Sequence, residues 1–254
     1  MKGVVRIVSL CPSITETLIG LGLESQLVGV TRFCIHPAEV VARLEKVGGT
    51  KTPELERIRA LKPDLIFMNE EENRREDFEA LAADFRIDAT LPKKVAEVPG
   101  LLRHLGDLTG TNALAEQQAR ALEQSMAALA ADPPPPFRYA YLIWREPWMA
   151  VNRDTYVADL WALAGGIGVF DEHPDRYPIV RLADLANAAP DLLLLPDEPF
   201  PFQEKHRAEL TGLLPHTAIR LVSGDDCCWH GVRTLRGVEL VGRLAREPFK
   251  RAQR

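Results

Sequence analysis

The chain has 254 residues, of which 46% are hydrophobic and 26% charged, enough to bury one large core or two small ones without disulfide or metal staples. A formal net charge of -5 argues against a general nucleic-acid binder, which carries a basic excess on some face. No run approaches the roughly 18 apolar residues of a membrane span, so small molecules or other proteins are the expected partners.

The opening residues run straight into strand-like alternation, with no long apolar segment and no small-residue cleavage site, so no secretory signal is read there. A strand is expected over 4–10. Behind the Cys11-Pro12-Ser13 turn a helix starts near Ser13 and closes around Gly20 to Gly22. Ser13 with Glu16 three residues on has capping-box spacing. A short strand at 27–30 follows, then a helix over 53–61 stopped by Lys62-Pro63-Asp64, an apolar strand at 65–68, an acidic loop and a helix over 75–83. Residues 101–131 read as mainly helical, interrupted near Gly106 and Thr109-Gly110-Thr111, and stop at four consecutive prolines, 133–136.

The later chain repeats the order. A strand at 138–144 leads to a helix at 156–164 closed by Gly165-Gly166; a helix ends at Pro190-Asp191, an apolar strand runs to Leu195, and an acidic loop and another helix follow. This approximate internal duplication, with strands alternating with helices, predicts an α/β protein of two similar lobes built on parallel sheets. The lobes are expected at 1–100 and 136–254, joined over 101–135 by one long stiff helix, with a ligand cleft between them.

In open α/β sheets ligands gather beyond the carboxyl ends of strands, and the unusual residues fall there. Cys34 and His36 have the chemistry of metal ligands, with Cys227, Cys228 and His230 as further donors; the competing reading makes the four cysteines (Cys11 is the fourth) reduced and packed as small hydrophobes. Trp144, Trp148 and Trp229 suit stacking on a flat or apolar ligand, with Arg32, Arg145, Arg153 and Arg233 pairing to anionic edges; Trp161, inside an apolar helix, is expected in a core. Ser13 or Cys11 near His36 offers a nucleophile, but no Gly-x-Ser-x-Gly elbow is present. The Gly48-Gly49-Thr50-Lys51 run lacks the spaced first glycine of a phosphate loop. Matching acidic stretches, 70–77 and 197–204, place carboxylates at equivalent lobe tips, suited to two basic sockets on a partner.

The segments Arg6-Ile-Val-Ser-Leu-Cys-Pro-Ser-Ile-Thr-Glu16, Leu27-Val-Gly-Val-Thr31, Val47-Gly-Gly-Thr50, Leu55 through Ile66 and Trp229-His-Gly-Val-Arg233, in this order, resemble the substrate-binding proteins of cobalamin, haem and ferric-siderophore ABC importers. The resemblance implies a non-catalytic, monomeric protein that holds a corrinoid or ferric chelate between its lobes. Phe33, Cys34, His36, Asn69, Trp144, Arg145, Trp148, Trp229 and Arg233 are the expected ligand contacts, and Cys34 and His36 the metal-side ones. It also implies docking to a permease dimer, for which Glu76 and Glu204 fit best, and an extracytoplasmic location if a signal was removed. A native Met1 instead leaves a cytoplasmic chaperone or sensor for a cofactor; a metal- or thiol-dependent enzyme using Cys34 and His36 is a further alternative.

Overall fold

The computed structural model describes residues 5–248; the start of the strand expected over 4–10 lies outside the described residues. The chain forms two compact units, one of residues 1–92, 97–120 and 230–233, the other of residues 93–96, 121–229 and 234–254.

The first unit runs β1 (Ile7–Ser9), α1 (Pro12–Gly20), β2 (Leu27–Val30), α2 (Ala38–Val41), α3 (Leu55–Leu61), β3 (Leu65–Asn69), α4 (Arg75–Ala82), β4 (Ile87–Thr90) and α5 (Val98–Thr109). Its strands are all parallel, in the order β2-β1-β3-β4, with Ile7 opposite Leu65 and Ile66 opposite Ile87. Strands β1, β2 and β3 are nearly continuous apolar runs because helices cover both faces. Ile7, Leu65 and Phe67 pack with Ile14, Leu18, Leu101 and Leu105 on one side; Val8, Ile66 and Met68 pack with Ile58 and Leu81 on the other. The single bridging helix expected over 101–135 is two helices, broken at the Thr109-Gly110-Thr111 interruption that the sequence marks: α5 and then α6 (Asn112–Ala131), which begins in the first unit and ends in the second.

The second unit continues through β5 (Phe137–Trp144), β6 (Met149–Ala150), α7 (Tyr156–Leu163), β7 (Gly166–Gly168), α8 (Leu182–Ala188), β8 (Leu192–Pro196), α9 (Glu204–Leu213), β9 (Ala218–Val222), α10 (Gly224–Cys228) and α11 (Thr234–Arg246). Strands β7, β8 and β9 are parallel to their neighbours, with β5 flanked by β7 and β8; the short β6 pairs antiparallel with the far end of β5. Trp161 is fully buried in this unit, edge-on to Phe137, as its helical context requires.

The internal duplication is present atom for atom at its clearest sequence mark. In both units a helix ends on a left-handed residue, Lys62 (φ 47°) or Ala189 (φ 44°), directly before Pro-Asp. The aspartate then closes the turn onto the unit's first strand: Asp64 Oδ2 accepts from Arg6 N and Asp191 Oδ2 from Arg138 N, each at 2.7 Å. The arginines reach back to the last helical turn, Arg6 to Leu61 O and Arg138 to Ala188 O. Proline forbids continuation of the helix, and the carboxylate satisfies a strand-end donor that would otherwise be left open. Strand order matches as well, β2-β1-β3-β4 against β7-β5-β8-β9. The result is two α/β lobes with parallel sheets, as the sequence implies.

Candidate functional site

At the carboxyl end of β1 the chain turns through Cys11 into α1, and a polar stripe on α1 holds the segment 230–233, which belongs to the same unit. Ser13 Oγ lies 3.4 Å from His230 Nε2 and 3.3 Å from Cys11 Sγ. Three residues on, Glu16 accepts two 2.6 Å hydrogen bonds from Arg233 Nε and Nη2. Thr17 Oγ1 donates to Ser13 O and accepts from Val232 N. Positions 13, 16 and 17 share one helix face, so the stripe is a lock for the segment and not a helix cap. This corrects the capping-box expectation: Cys11 is the residue before the helix, no side chain caps it, and Ser13 already lies inside. Burial decides the electrostatics. It pushes the Cys11 thiol up to about 12 and His230 down to about 4, so at neutral pH both are uncharged.

Gly231 completes the lock. Its φ is +101°, and a Cβ there would sit 1.9 Å from Thr17 Oγ1. Gly231→Ala is therefore expected to lose about 2 kcal/mol of stability from backbone strain and overpacking. Urea denaturation checks this, and a loss within experimental error of zero would show that the segment is free to shift.

Cys34 lies on the loop after β2, 2% exposed, with Thr15 Oγ1 and Thr31 Oγ1 at 3.1 and 3.2 Å from its sulfur. Burial raises its pKa, which disfavours the thiolate that a metal or an electrophile needs. His36 on the same loop is half-buried. Among the described residues no cluster of three or more His, Cys, Asp or Glu is arranged to hold a metal ion. Phe33, by contrast, is 48% exposed with the Arg32 guanidinium 4.9 Å from its ring centre, and the neighbouring Ile35 is exposed too. Asn69, expected as a ligand contact, is buried and spends its amide on the backbone. Its Oδ1 accepts from Glu71 N and Glu72 N, and its Nδ2 donates to Thr90 O.

In the second unit the carboxyl ends of β5 and β8 carry an aromatic wall. Trp144 meets Phe200 edge-on at 5.6 Å, Phe200 packs on Phe202 at 4.7 Å, and Phe202 stacks parallel to Trp148 at 6.1 Å. His206 backs both phenylalanines and accepts from Gln203 N through Nδ1, which places the proton of the neutral ring on Nε2. Burial, Lys205 and Arg145 lower its pKa. Arg145 lies over Trp148 at 5.5 Å, is paired to Glu209 at 3.2 Å and also contacts Glu146. Trp144 is 42% exposed while Phe202 is buried, so the wall shows a rigidly backed ring to solvent.

Trp229 and Arg233, expected as ligand contacts, are each 6% exposed. The indole Nε1 of Trp229 donates to Glu198 Oε1 at 3.4 Å, and Arg233 is committed to Glu16. Arg153 contacts Glu172 and donates to Asp171 O. The two docking candidates occupy equivalent places, Glu76 in the first turn of α4 and Glu204 in that of α9; Glu204 is held by Arg207 at 2.6 Å. Phe200, Phe202 and His206 were not anticipated. The signal for them is the Pro199-Phe200-Pro201-Phe202 run, two aromatic residues within the acidic stretch 197–204.

The sequence profile of the periplasmic binding protein family matches residues 7–208. The vitamin B12-binding protein of Vibrio vulnificus (strain YJ016) is 28% identical over 193 residues, which cover 75% of this chain and 70% of that protein. That of Pectobacterium carotovorum subsp. carotovorum (strain PC1) is 27% identical over 227 residues, covering 87% and 80%. Among solved structures, the periplasmic vitamin B12 binding protein BtuF of Vibrio cholerae superposes with a TM-score of 0.81 at 23% identity, covering 96% of this chain and 98% of that one. The periplasmic heme binding protein HutB of Vibrio cholerae gives 0.82 at 19% identity, covering 96% and 99%. At these identities the structures speak for the fold, and the profile, spanning well over half of the sequence, speaks for descent: the chain belongs to the periplasmic binding protein family.

Proposed function

We propose that the chain is an extracytoplasmic substrate-binding protein that captures a corrinoid such as cobalamin, or a ferric chelate such as haem or a ferric siderophore, for ABC-type uptake. The observation that carries this reading is the exposed Trp144 backed by Phe200, with Arg145 beside it, in a chain of this family. A large flat or apolar ligand with anionic edges is held by stacking on such a ring and by charge-assisted hydrogen bonds to the guanidinium. Phe33 and Arg32 offer the first unit's version of the same chemistry. The relatives named for vitamin B12 and heme support the ligand class.

The same reading makes the protein a binder and not a catalyst. The groups that resemble a nucleophile and base, Ser13, Cys11 and His230, are buried, and their hydrogen bonds serve the lock on α1. Glu76 and Glu204, on matching helix starts, present the carboxylates that dock a permease dimer.

Titration calorimetry of ligand-free protein with cyanocobalamin, haemin and a ferric hydroxamate chelate tests the reading. One of the three is expected to bind with micromolar or tighter affinity, and Trp144→Ala to weaken that ligand about tenfold or more, the usual effect of removing an exposed aromatic anchor. Failure of all three ends the ligand assignment.

A further inference from the structure

A cavity of about 360 Å³ opens in the first unit, where β3 ends and α4 begins. It is lined by none of Trp144, Arg145, Phe33, Arg32, Glu76 or Glu204. Its floor is apolar, made by Met68, Phe78 and Ala89, which belong to one packed cluster. Its walls are fixed by Asn69 and Asn73. Asn73 donates to Leu10 O and Thr50 O and accepts from Asn69 N, so these amides hold the cavity's shape and are spent on the backbone.

The rim carries both signs of charge. Arg74 is pinned to the buried Asp77 through Nε and Nη2, at 2.9 and 2.8 Å, a pair that does not use the two N–H groups on Nη1. Arg75 binds Glu79 through Nε at 2.8 Å, which likewise leaves the outer edge of its fork unused by that pair. Glu70, exposed on the same rim, adds a carboxylate. A simple anion meets arginines whose charge Asp77 and Glu79 already balance, and meets Glu70 as well. A simple cation meets two guanidinium heads. A neutral apolar molecule leaves donors and acceptors of the rim stripped of water without replacement. A molecule with both charges satisfies all of them.

We propose that this cavity binds a small zwitterion with an apolar side group, of the apolar α-amino acid class. The carboxylate pairs with Arg74 and Arg75, the ammonium with Glu70, and the side group lies on Met68, Phe78 and Ala89. The volume falls within the roughly 300–1,000 Å³ of small-molecule sites.

The test is calorimetric titration of the whole chain with L-phenylalanine and L-leucine, beside 3-phenylpropionate, which lacks the amine, and phenethylamine, which lacks the carboxylate. The amino acids are expected to bind, and each truncated probe to bind about tenfold more weakly or worse, since 3-phenylpropionate forfeits the charge-assisted hydrogen bond to Glu70 and phenethylamine those to Arg74 and Arg75. Glu70→Gln is expected to weaken L-phenylalanine without weakening 3-phenylpropionate; Arg75→Gln is expected to weaken L-phenylalanine without weakening phenethylamine. Both side chains are exposed, so the variants fold, as circular dichroism will confirm. No heat from either amino acid at millimolar concentration, equal affinity for all probes, or indifference to both substitutions would overturn the proposal. The outcome is independent of the chelate titrations, which report on other residues.

Discussion

Arg233→Met is expected to destabilise the protein by about 3–5 kcal/mol, the cost of removing one partner from a buried ion pair. The arginine is 6% exposed at its side chain and its partner Glu16 13%, and the two meet through parallel hydrogen bonds of 2.6 Å. Methionine fills much of the same volume, so the loss comes from the Glu16 carboxylate left without its counter-charge in a place that water reaches poorly. The double variant Glu16→Met, Arg233→Met removes both charges and is expected to recover most of the loss, because a buried pair replaced by apolar side chains is close to neutral. Urea denaturation of the four species in the cycle measures the coupling directly. Salt adds a second reading: the coupling is expected to persist at high ionic strength, unlike that of the exposed Arg75–Glu79 pair at 87% and 59% exposure. A cost below about 1 kcal/mol for Arg233→Met would mean that the pair is solvated in solution.

That ion pair marks the boundary of what the sequence discloses. Strand and helix order was legible because it is written locally: apolar runs of strand length, Gly22 and Gly165 after their helices, and Pro-Asp before β3 and β8. The duplication followed from the same marks, and the Asp64 and Asp191 contacts give it a physical cause. The partners of Ser13 and Glu16 were not legible, because they lie 217 residues away while a local capping box offered a ready alternative. Tertiary contact won: Glu16 points at Arg233, and α1 starts without a side-chain cap.

The residues nominated for ligand binding divide along one physical line. A tryptophan or arginine in a polar loop carries no mark of whether its loop folds in or out. Trp144 ends β5 and is 42% exposed, whereas Trp229 follows β9 only after α10 and is 6% exposed, its indole hydrogen-bonded to Glu198. The duplicated loops also diverge in use. Asn69 after β3 braces its own turn, whereas Asp197 after β8 reaches forward to Gly224 N at 2.7 Å and ties in the start of α10. Similar elements therefore leave an open cavity in one unit and a filled, aromatic surface in the other.

His230 makes the stability of the first unit depend on pH in a definite direction. Burial lowers its pKa from 6.5 to about 4, so the folded state prefers the neutral ring and the unfolded state takes up a proton first. Its contribution is complete above pH 6.5 and is lost progressively as pH falls towards 4. The groups set against the ring include the Ser13 hydroxyl, with the neutral Cys11 thiol behind it and the Glu16–Arg233 pair one turn along α1. A shift of this size corresponds to about 3 kcal/mol. Denaturation at pH 7, 6, 5 and 4 is expected to show stability falling through that window, and His230→Gln to show a shallower fall, since its amide reaches the position of Nε2 beside Ser13 but takes up no proton. Carboxylates elsewhere add their own loss below pH 5, so the decisive comparison is the slope of the two proteins at pH 5 to 6.5. Equal slopes there would mean that water reaches the imidazole in solution and that the segment 230–233 rests on α1 more loosely than its hydrogen bonds imply.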